Sequence, residues 1–178
     1  MRLRYFEIDA FTDRPYSGNP AAVVLLDGPL PDEQRQRIAR EFNLSETAFL
    51  KICDDHVGIR WFTPAMEVKM CGHATLASLC ALTTAGLIRP GRVRLATRHH
   101  GELPAEVSLT DGRFFARFGL PLYAPPEASA VSSVELAGLL GLEPPALGSE
   151  PILFSAGAEV LFVPVSGLAA MRALRPRS

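Results

Sequence analysis

Two short segments of this sequence carry residue types that could perform acid/base chemistry on a small molecule. One contains Glu46, which stands where a predicted helix ends and an apolar strand begins. If its carboxylate faces inward against Phe49 or Leu50, the loss of water makes it a group that can accept and return a proton near neutral pH. A surface glutamate at the end of a strand fits the same residues.

The other segment is Cys71-Gly72-His73-Ala74-Thr75, which opens a predicted apolar helix. Main-chain amides at a helix N-terminus point outward and favour anions such as a carboxylate. Gly72 allows close approach of a ligand, His73 can donate a hydrogen bond or share protons, and Cys71 could act as a base. A capped helix with a structural histidine fits these residues equally well.

The remaining candidates are weaker. Ser17-Gly18-Asn19-Pro20 consists of turn formers, so a turn is the favoured interpretation. Cys53 and Cys80 are expected to pack in a strand and in the helix core. The other histidines stand in no motif and are expected at the surface: His56, His99 and His100.

Composition limits the class of protein. The chain has 178 residues, of which 48% are hydrophobic and 21% charged, and its formal net charge is -1. These values are typical of a globular protein and favour neither nucleic acid nor an anionic membrane as a partner. Three cysteines without a Cys-x-x-Cys pair predict neither a disulfide framework nor a zinc knuckle. The N-terminus does not resemble a signal peptide, so a cytoplasmic location is expected.

The predicted elements position both segments. Strands are predicted over 3–9, 21–26, 46–52, 57–62, 92–97, 103–109 and 113–118, and a helix from Pro31 to Phe42. The strand 21–26 is continuously apolar and is expected to be buried on both faces. The segment 72–87 is apolar or small on every side, which is typical of a helix at the centre of a domain.

A second part of the chain begins after Leu120, where prolines predict a linker near 121–131. A helix over 134–140, a strand over 158–163 and a helix over 167–174 are expected to follow. A weak similarity between the segments starting at Ser17 and at Ser155 hints at a repeated unit. We therefore expect a first lobe at 1–122 and the beginning of a second, pseudo-symmetric lobe at 123–178.

Five strings, in order over residues 9–75, resemble the N-terminal half of PhzF-type isomerases of the diaminopimelate-epimerase superfamily. They are Asp9-Ala10-Phe11-Thr12, Ser17-Gly18-Asn19-Pro20-Ala21-Ala22-Val23, Asn43-Leu44-Ser45-Glu46-Thr47-Ala48-Phe49, Arg60-Trp61-Phe62-Thr63-Pro64 and Cys71-Gly72-His73-Ala74-Thr75. Each string alone is weak, but together they are specific. The resemblance implies an α+β fold, in which a mixed, mostly antiparallel sheet curls around a central apolar helix, with an incomplete second lobe of the same type.

The resemblance also implies a chemistry. It assigns Glu46 as the acid/base of a proton-shifting isomerase, with His73 and Cys71 as further catalytic candidates in a cleft between lobes. Ser17, Asn19, Gly72 and His73 are the residues that it assigns to substrate binding. The implied substrate is a small carboxylated metabolite, and no metal or organic cofactor is implied.

Two departures from the family pattern are informative. The phenazine enzyme usually has alanine at the position of Cys71, where diaminopimelate epimerases place a catalytic thiol, so the substrate cannot be inherited from the phenazine pathway. The Asp-Pro-x-Thr-Gly-Ser string of the second lobe does not occur in this chain. We therefore expect the 178 residues alone to be impaired, and to form a homodimer or to pair with a complementing chain.

The sequence leaves two other hypotheses about function open. One is a two-base racemase that uses Cys71 and a second thiol, for which Cys53 and Cys80 are poorly placed. The other is an inactive or split-enzyme fragment that binds a small acid or a partner chain.

Overall fold

The computed structural model describes residues 2–120, 127–155 and 159–176. It divides into two compact units, Met1–Pro121 and Leu122–Ser178. Most of the predicted linker, residues 121–126, lies outside the described residues. The predicted acid/base segments both belong to the first unit.

The first unit contains eight strands and two helices. The strands are β1 (Arg4–Ala10), β2 (Asn19–Leu25), β3 (Glu46–Ile52), β4 (Val57–Phe62), β5 (Glu67–Val68), β6 (Gly91–Thr97), β7 (Gly101–Thr110) and β8 (Arg113–Phe118). The helices are α1 (Asp32–Phe42) and α2 (Gly72–Thr84). All eight strands form one sheet in the order β1-β2-β3-β4-β6-β7-β8, with the short β5 paired to β4.

The sheet is mixed and mostly antiparallel. Only the pairs β2–β3 and β4–β6 run parallel within the described residues, and each crosses over a helix. The apolar β2 lies between β1 and β3, and Ala21 through Leu25 are all buried, which confirms the prediction of burial on both faces. In the parallel register Ala21 lies beside Glu46, so Glu46 begins β3 at a defined point of the sheet.

Helix α2 is the centre around which the sheet curls. It contacts β1, β2, β3, β7 and β8. Its buried residues cover most of its circumference, and the largest of them, Leu79 and Leu82, are fully buried. The remaining side, with His73, Leu76 and Cys80, is partly buried. Alternate β3 residues, Ala48 and Leu50, belong to the same core cluster, so this face of β3 is turned towards α2. The predicted fold class and the predicted central helix are confirmed.

Local signals set the ends of several elements. Asn43 adopts a left-handed conformation with φ of 52° and ends α1 after Phe42, the predicted last residue of the helix. Asp111 and Gly112 both have positive φ and join β7 to β8 in a hairpin. At Gly18 a Cβ atom would lie 2.4 Å from the carbonyl oxygen of Ala10, so only glycine permits this approach between the ends of β1 and β2.

An ion-pair cluster supports the other face of the sheet. Arg60 of β4 donates two hydrogen bonds of 2.7 Å to Glu67 of β5 and reaches Asp32 of α1 at 2.6 Å. Arg98 contacts Glu67 at 2.8 Å. Hydrogen bonds from Arg60 lower the pKa of Glu67, although partial burial acts in the opposite direction. The cluster therefore joins α1 to the strands beside it.

Replacing Arg60 with methionine is expected to reduce the free energy of unfolding by about 1–3 kcal/mol, because the part-buried Glu67 loses two hydrogen bonds and keeps its contact with the more exposed Arg98. Since the folded-state pKa of Glu67 is lowered, this stabilisation is full above the ordinary carboxylate pKa of about 4.3 and is lost as the pH falls below it. Urea unfolding at neutral and acidic pH measures both effects. The exposed pair Arg37–Glu33 provides a control, since Arg37→Met should cost under about 0.5 kcal/mol; equal losses in the two variants would contradict the role of Arg60.

The second unit is smaller. It contains β9 (Glu127–Ala128), α3 (Ser133–Leu140), a short 3-10 helix (Pro144–Ala146), β10 (Ile152–Ser155), β11 (Glu159–Phe162) and α4 (Leu168–Ala173). The strands form a separate sheet in the order β11-β10-β9. Ser132 caps α3 by accepting a hydrogen bond from the Glu135 amide, and Gly141 ends it with φ of 67°. Among the described residues, no helix combines the length and apolar character needed to cross a membrane.

Candidate active site

The start of β3 and the start of α2 meet at one end of the sheet. Glu46 is the first residue of β3, and Cys71 is the N-cap of α2, with His73 in the first turn. Because β3 turns its Ala48–Leu50 face to α2, the Glu46 side chain points towards the N-terminus of that helix. The two predicted acid/base segments are thus adjacent in space.

His73 connects the members of this cluster. Its Nε2 atom lies 3.4 Å from Glu46 Oε2 and 3.3 Å from Ser45 Oγ. Its Nδ1 atom lies 3.4 Å from Cys71 Sγ. A protonated thiol can donate to Nδ1, which leaves an Nε2–H that faces both Ser45 Oγ and the Glu46 carboxylate. We call Glu46, Cys71 and His73 the triad.

The triad is partly enclosed. The side chain of His73 is 10% exposed and that of Glu46 is 21% exposed, while Cys71 is buried. A small molecule can therefore reach Glu46, yet little bulk water surrounds the carboxylate. This environment suits a proton carrier, because water competes less for the carboxylate than it does at an exposed site.

Burial raises the pKa of the Cys71 thiol to about 12, and the negative charge of Glu46 adds to this increase. The amides of Ala74 and His73 act in the opposite direction but do not offset the burial. A thiol with this pKa is protonated near neutral pH, so Cys71 is a hydrogen-bond donor there and a poor base.

Cys71 is accordingly expected to resist alkylation in the folded chain. At pH 8 a pKa of about 12 leaves only about 10⁻⁴ of the thiol as thiolate, and the thiolate is the reacting species. Iodoacetamide labelling followed by peptide mass spectrometry measures the rate, with Cys53, which is less buried, as the internal comparison. Labelling of Cys71 at the rate seen in the urea-unfolded chain would contradict the raised pKa.

The N-terminus of α2 remains available to an anion. Its N-cap residue Cys71 makes no side-chain capping hydrogen bond, and the first turn contains no acidic residue. The partial positive charge of the first-turn amides is therefore not matched from within the helix. Gly72, which opens the helix, has no side chain to block a ligand, and a Cβ built there would meet only Phe118 at 3.9 Å.

Not every predicted site residue joins the triad. Ser17 lies exposed in the turn before β2, where its hydroxyl donates to the Pro15 carbonyl at 3.3 Å. Asn19 begins β2, exposed, two residues before Ala21, the neighbour of Glu46. Within residues 2–120 no hydrogen bond connects Ser17 or Asn19 with the triad. Their assignment to substrate binding stays a prediction.

Ser45 is a further member of the candidate site, one that the sequence patterns did not indicate. Its hydroxyl lies 3.3 Å from His73 Nε2, so it shares this nitrogen with Glu46. The signal was its position directly before Glu46 in a matched string.

Comparison with known proteins identifies the family. The family model for phenazine biosynthesis-like proteins (PhzC-PhzF) matches residues 8–178. The chain belongs to the phenazine biosynthesis-like family. An uncharacterized isomerase of Pseudomonas aeruginosa is 42% identical over 177 residues, which cover 99% of this chain and 62% of that protein. The chain thus spans about three fifths of the length of this relative.

Solved structures agree with this family. The PhzF-family protein of Bacillus anthracis superposes with a TM-score of 0.83 at 31% identity, over 99% of this chain and 60% of that chain. A protein of Pseudomonas aeruginosa described as a predicted epimerase gives a TM-score of 0.82 at 25% identity, over 99% of this chain and 64% of that chain. Both are longer proteins of the same fold, which confirms the PhzF-type resemblance of the sequence.

Proposed function

We propose that this chain carries the acid/base site of a cofactor-independent isomerase that shifts a proton on a small carboxylated metabolite. The observation that carries the proposal is the Glu46 carboxylate beside His73 at the open N-terminus of α2. Family membership and the isomerase name of the Pseudomonas relative support it.

In the proposed mechanism, the substrate carboxylate binds the main-chain amides at Gly72 and His73. This places a neighbouring carbon near Glu46, which takes its proton and returns it to a different carbon. The Nε2–H of His73 holds the Glu46 carboxylate in position through the 3.4 Å contact. The thiol of Cys71 donates to Nδ1 and keeps the proton of His73 on Nε2.

Carboxylate binding is measured by titrating the ¹⁵N-labelled chain with small amino acids and hydroxy acids. The amides of Gly72 and His73 are expected to shift with the acids and to stay unchanged with the corresponding primary amides, which have no charge for the helix terminus to attract. Shifts of similar size with acids and amides would contradict the proposed binding of the substrate carboxylate at these two main-chain amides.

Cys71 is expected to be accessory. Because its thiol is protonated and acts through His73, Cys71→Ala should lower turnover less than tenfold, compared with the larger loss proposed for Glu46. Steady-state rates of the two variants measure the difference. If Cys71→Ala lowers turnover as much as Glu46→Gln does, the racemase hypothesis is favoured instead.

The two-base racemase hypothesis needs a second thiol near Cys71, and neither of the other two cysteines lies close enough. Cys80 follows Cys71 by nine residues along α2, about 13 Å at 1.5 Å per residue. Cys53 lies beyond the far end of β3, about 20 Å from the Glu46 end. Deuterium entering at a stereocentre without movement of a double bond would nevertheless support a racemase.

The proposal also includes a second copy of this chain as a partner. Large apolar side chains are exposed in the first unit, among them Phe11, Phe114 and Phe115. Apolar surface of this kind is common at contacts between chains. Sedimentation velocity distinguishes a homodimer, which we expect, from a monomer that stays monomeric across concentrations.

A further inference from the structure

The triad brings three different kinds of metal ligand to one point. The thiol of Cys71, the imidazole of His73 and the carboxylate of Glu46 each offer a ligand atom, and these atoms lie within 4.8 Å of one another. Sulfur, imidazole nitrogen and carboxylate oxygen together are the ligand types that zinc uses in proteins. Magnesium and calcium prefer oxygen ligands alone.

The spacing is close to that of a coordination sphere. Ligand atoms around a tetrahedral zinc ion lie about 3.3–3.6 Å apart, given bond lengths of about 2.0–2.3 Å. The separations Sγ–Nδ1 and Nε2–Oε2 are both 3.4 Å. They involve different nitrogens of His73, so one nitrogen must come next to both partners. The ligand atoms lie within 4.8 Å of one another, which leaves a movement of about 1 Å to reach zinc spacing. Glu46, which is part-exposed at the end of its strand, can supply this movement.

Charge also favours a divalent ion. A thiolate and a carboxylate together neutralise Zn²⁺, and a neutral assembly is far easier to enclose than a lone charge. The positive end of α2 acts against a cation, but two anionic ligands in direct contact outweigh half a charge at the helix terminus. Since Glu46 and His73 are both part-exposed, an ion can enter, and a fourth position stays open to water.

We propose that Glu46, Cys71 and His73 form an inhibitory zinc site. When Zn²⁺ binds, the proton of the Cys71 thiol leaves to solvent and the sulfur bonds to the metal. The same ion occupies the Glu46 carboxylate, so Glu46 can no longer exchange a proton with a substrate. Only the inhibition rests on the proposed isomerase function, because zinc binding is measured on the chain without substrate.

Cobalt reports the site directly, since Co²⁺ replaces zinc and absorbs visible light. Titration of the 178-residue chain with Co²⁺ is expected to give one equivalent of intense tetrahedral absorption with a thiolate charge-transfer band. Zn²⁺ should displace it, and Mg²⁺ should not. A colorimetric chelator in competition then gives the zinc affinity.

The variants identify the ligands. Loss of a ligand should weaken zinc binding at least about 100-fold, since even the loss of a supporting residue costs 10–100-fold. Cys71→Ser should abolish the thiolate band, and Glu46→Gln and His73→Asn should lower the zinc affinity without unfolding the chain, as checked by circular dichroism. Cys53→Ser and His99→Asn, outside the triad, should bind as the parent does.

Two results would overturn the proposal. One is a parent chain that binds no zinc at micromolar concentrations. The other is binding that survives Cys71→Ser or both Glu46→Gln and His73→Asn, which would locate the ion elsewhere. If zinc binds as expected but no isomerase activity is found, the zinc site is supported and the proposed isomerase function is contradicted.

Discussion

Replacing Glu46 with glutamine is expected to lower turnover by about 10²–10⁴-fold, the usual contribution of a positioned acid/base. Glutamine keeps the size of the side chain and can still bond to His73, which lies 3.4 Å from the carboxylate. It cannot accept a proton, so only the chemical step is removed. The rate of proton shift with a substrate that binds the chain is the measurement.

A matched control distinguishes chemistry from general damage. Glu41 is an exposed glutamate on α1, and Glu41→Gln should keep the parental rate. The melting temperatures of both variants should stay close to that of the parent. A Glu46→Gln chain that works at the parental rate would show that another group moves the proton.

Leu79→Ala is expected to reduce the free energy of unfolding by about 2–5 kcal/mol. Leu79 is fully buried on α2, the helix around which the sheet curls. Truncation leaves a cavity that the surrounding strands cannot fill without moving the sheet. Urea unfolding followed by circular dichroism measures the loss.

Leu109 is the matched control for this substitution. It lies on β7 and is 52% exposed, so Leu109→Ala should change stability by less than about 1 kcal/mol. Equal losses in Leu79→Ala and Leu109→Ala would contradict the central position of α2. A Leu79→Ala chain that does not fold at all would agree with the upper end of the expected loss.

Much of the first unit can be predicted from the sequence because its elements are defined locally. The limits of β3, β4 and β8 agree with the predicted 46–52, 57–62 and 113–118. For β3 and β4, local propensity and burial favour the same structure. β8 is mostly exposed, and its aromatic residues and the turn before it favour a strand. Helix α2 begins at Gly72 as predicted but ends at Thr84, earlier than the predicted residue 87.

The strands that were missed depend on a partner strand. β5 and β9 have two residues each, too few for any periodicity. β5 pairs with the end of β4 that lies beyond its register with β6, and β9 pairs with β10. β10 (Ile152–Ser155) was also missed, since it is short and follows a proline. Pairing of this kind is a tertiary property that a local pattern does not contain.

The candidate site was predictable in its parts and not in its assembly. Glu46 at a strand start and Cys71-Gly72-His73 at a helix start could each be proposed from residue types. Their contact joins residues that are 27 apart in sequence, and it arises from how β3 packs on α2. Which His73 nitrogen faces Cys71, and that Ser45 shares the other, follow from the packed side chains alone.

Solvent-deuterium exchange tests most directly whether Glu46 carries a proton to and from a bound acid. The parent chain and Glu46→Gln are incubated in D₂O with a carboxylic acid that shifts the NMR signals of the Gly72 and His73 amides. Mass spectrometry then measures the deuterium content of the recovered acid. The parent is expected to introduce solvent deuterium at carbon, and Glu46→Gln to do so at least about 100-fold more slowly. Equal incorporation in the two chains would contradict the assignment of Glu46.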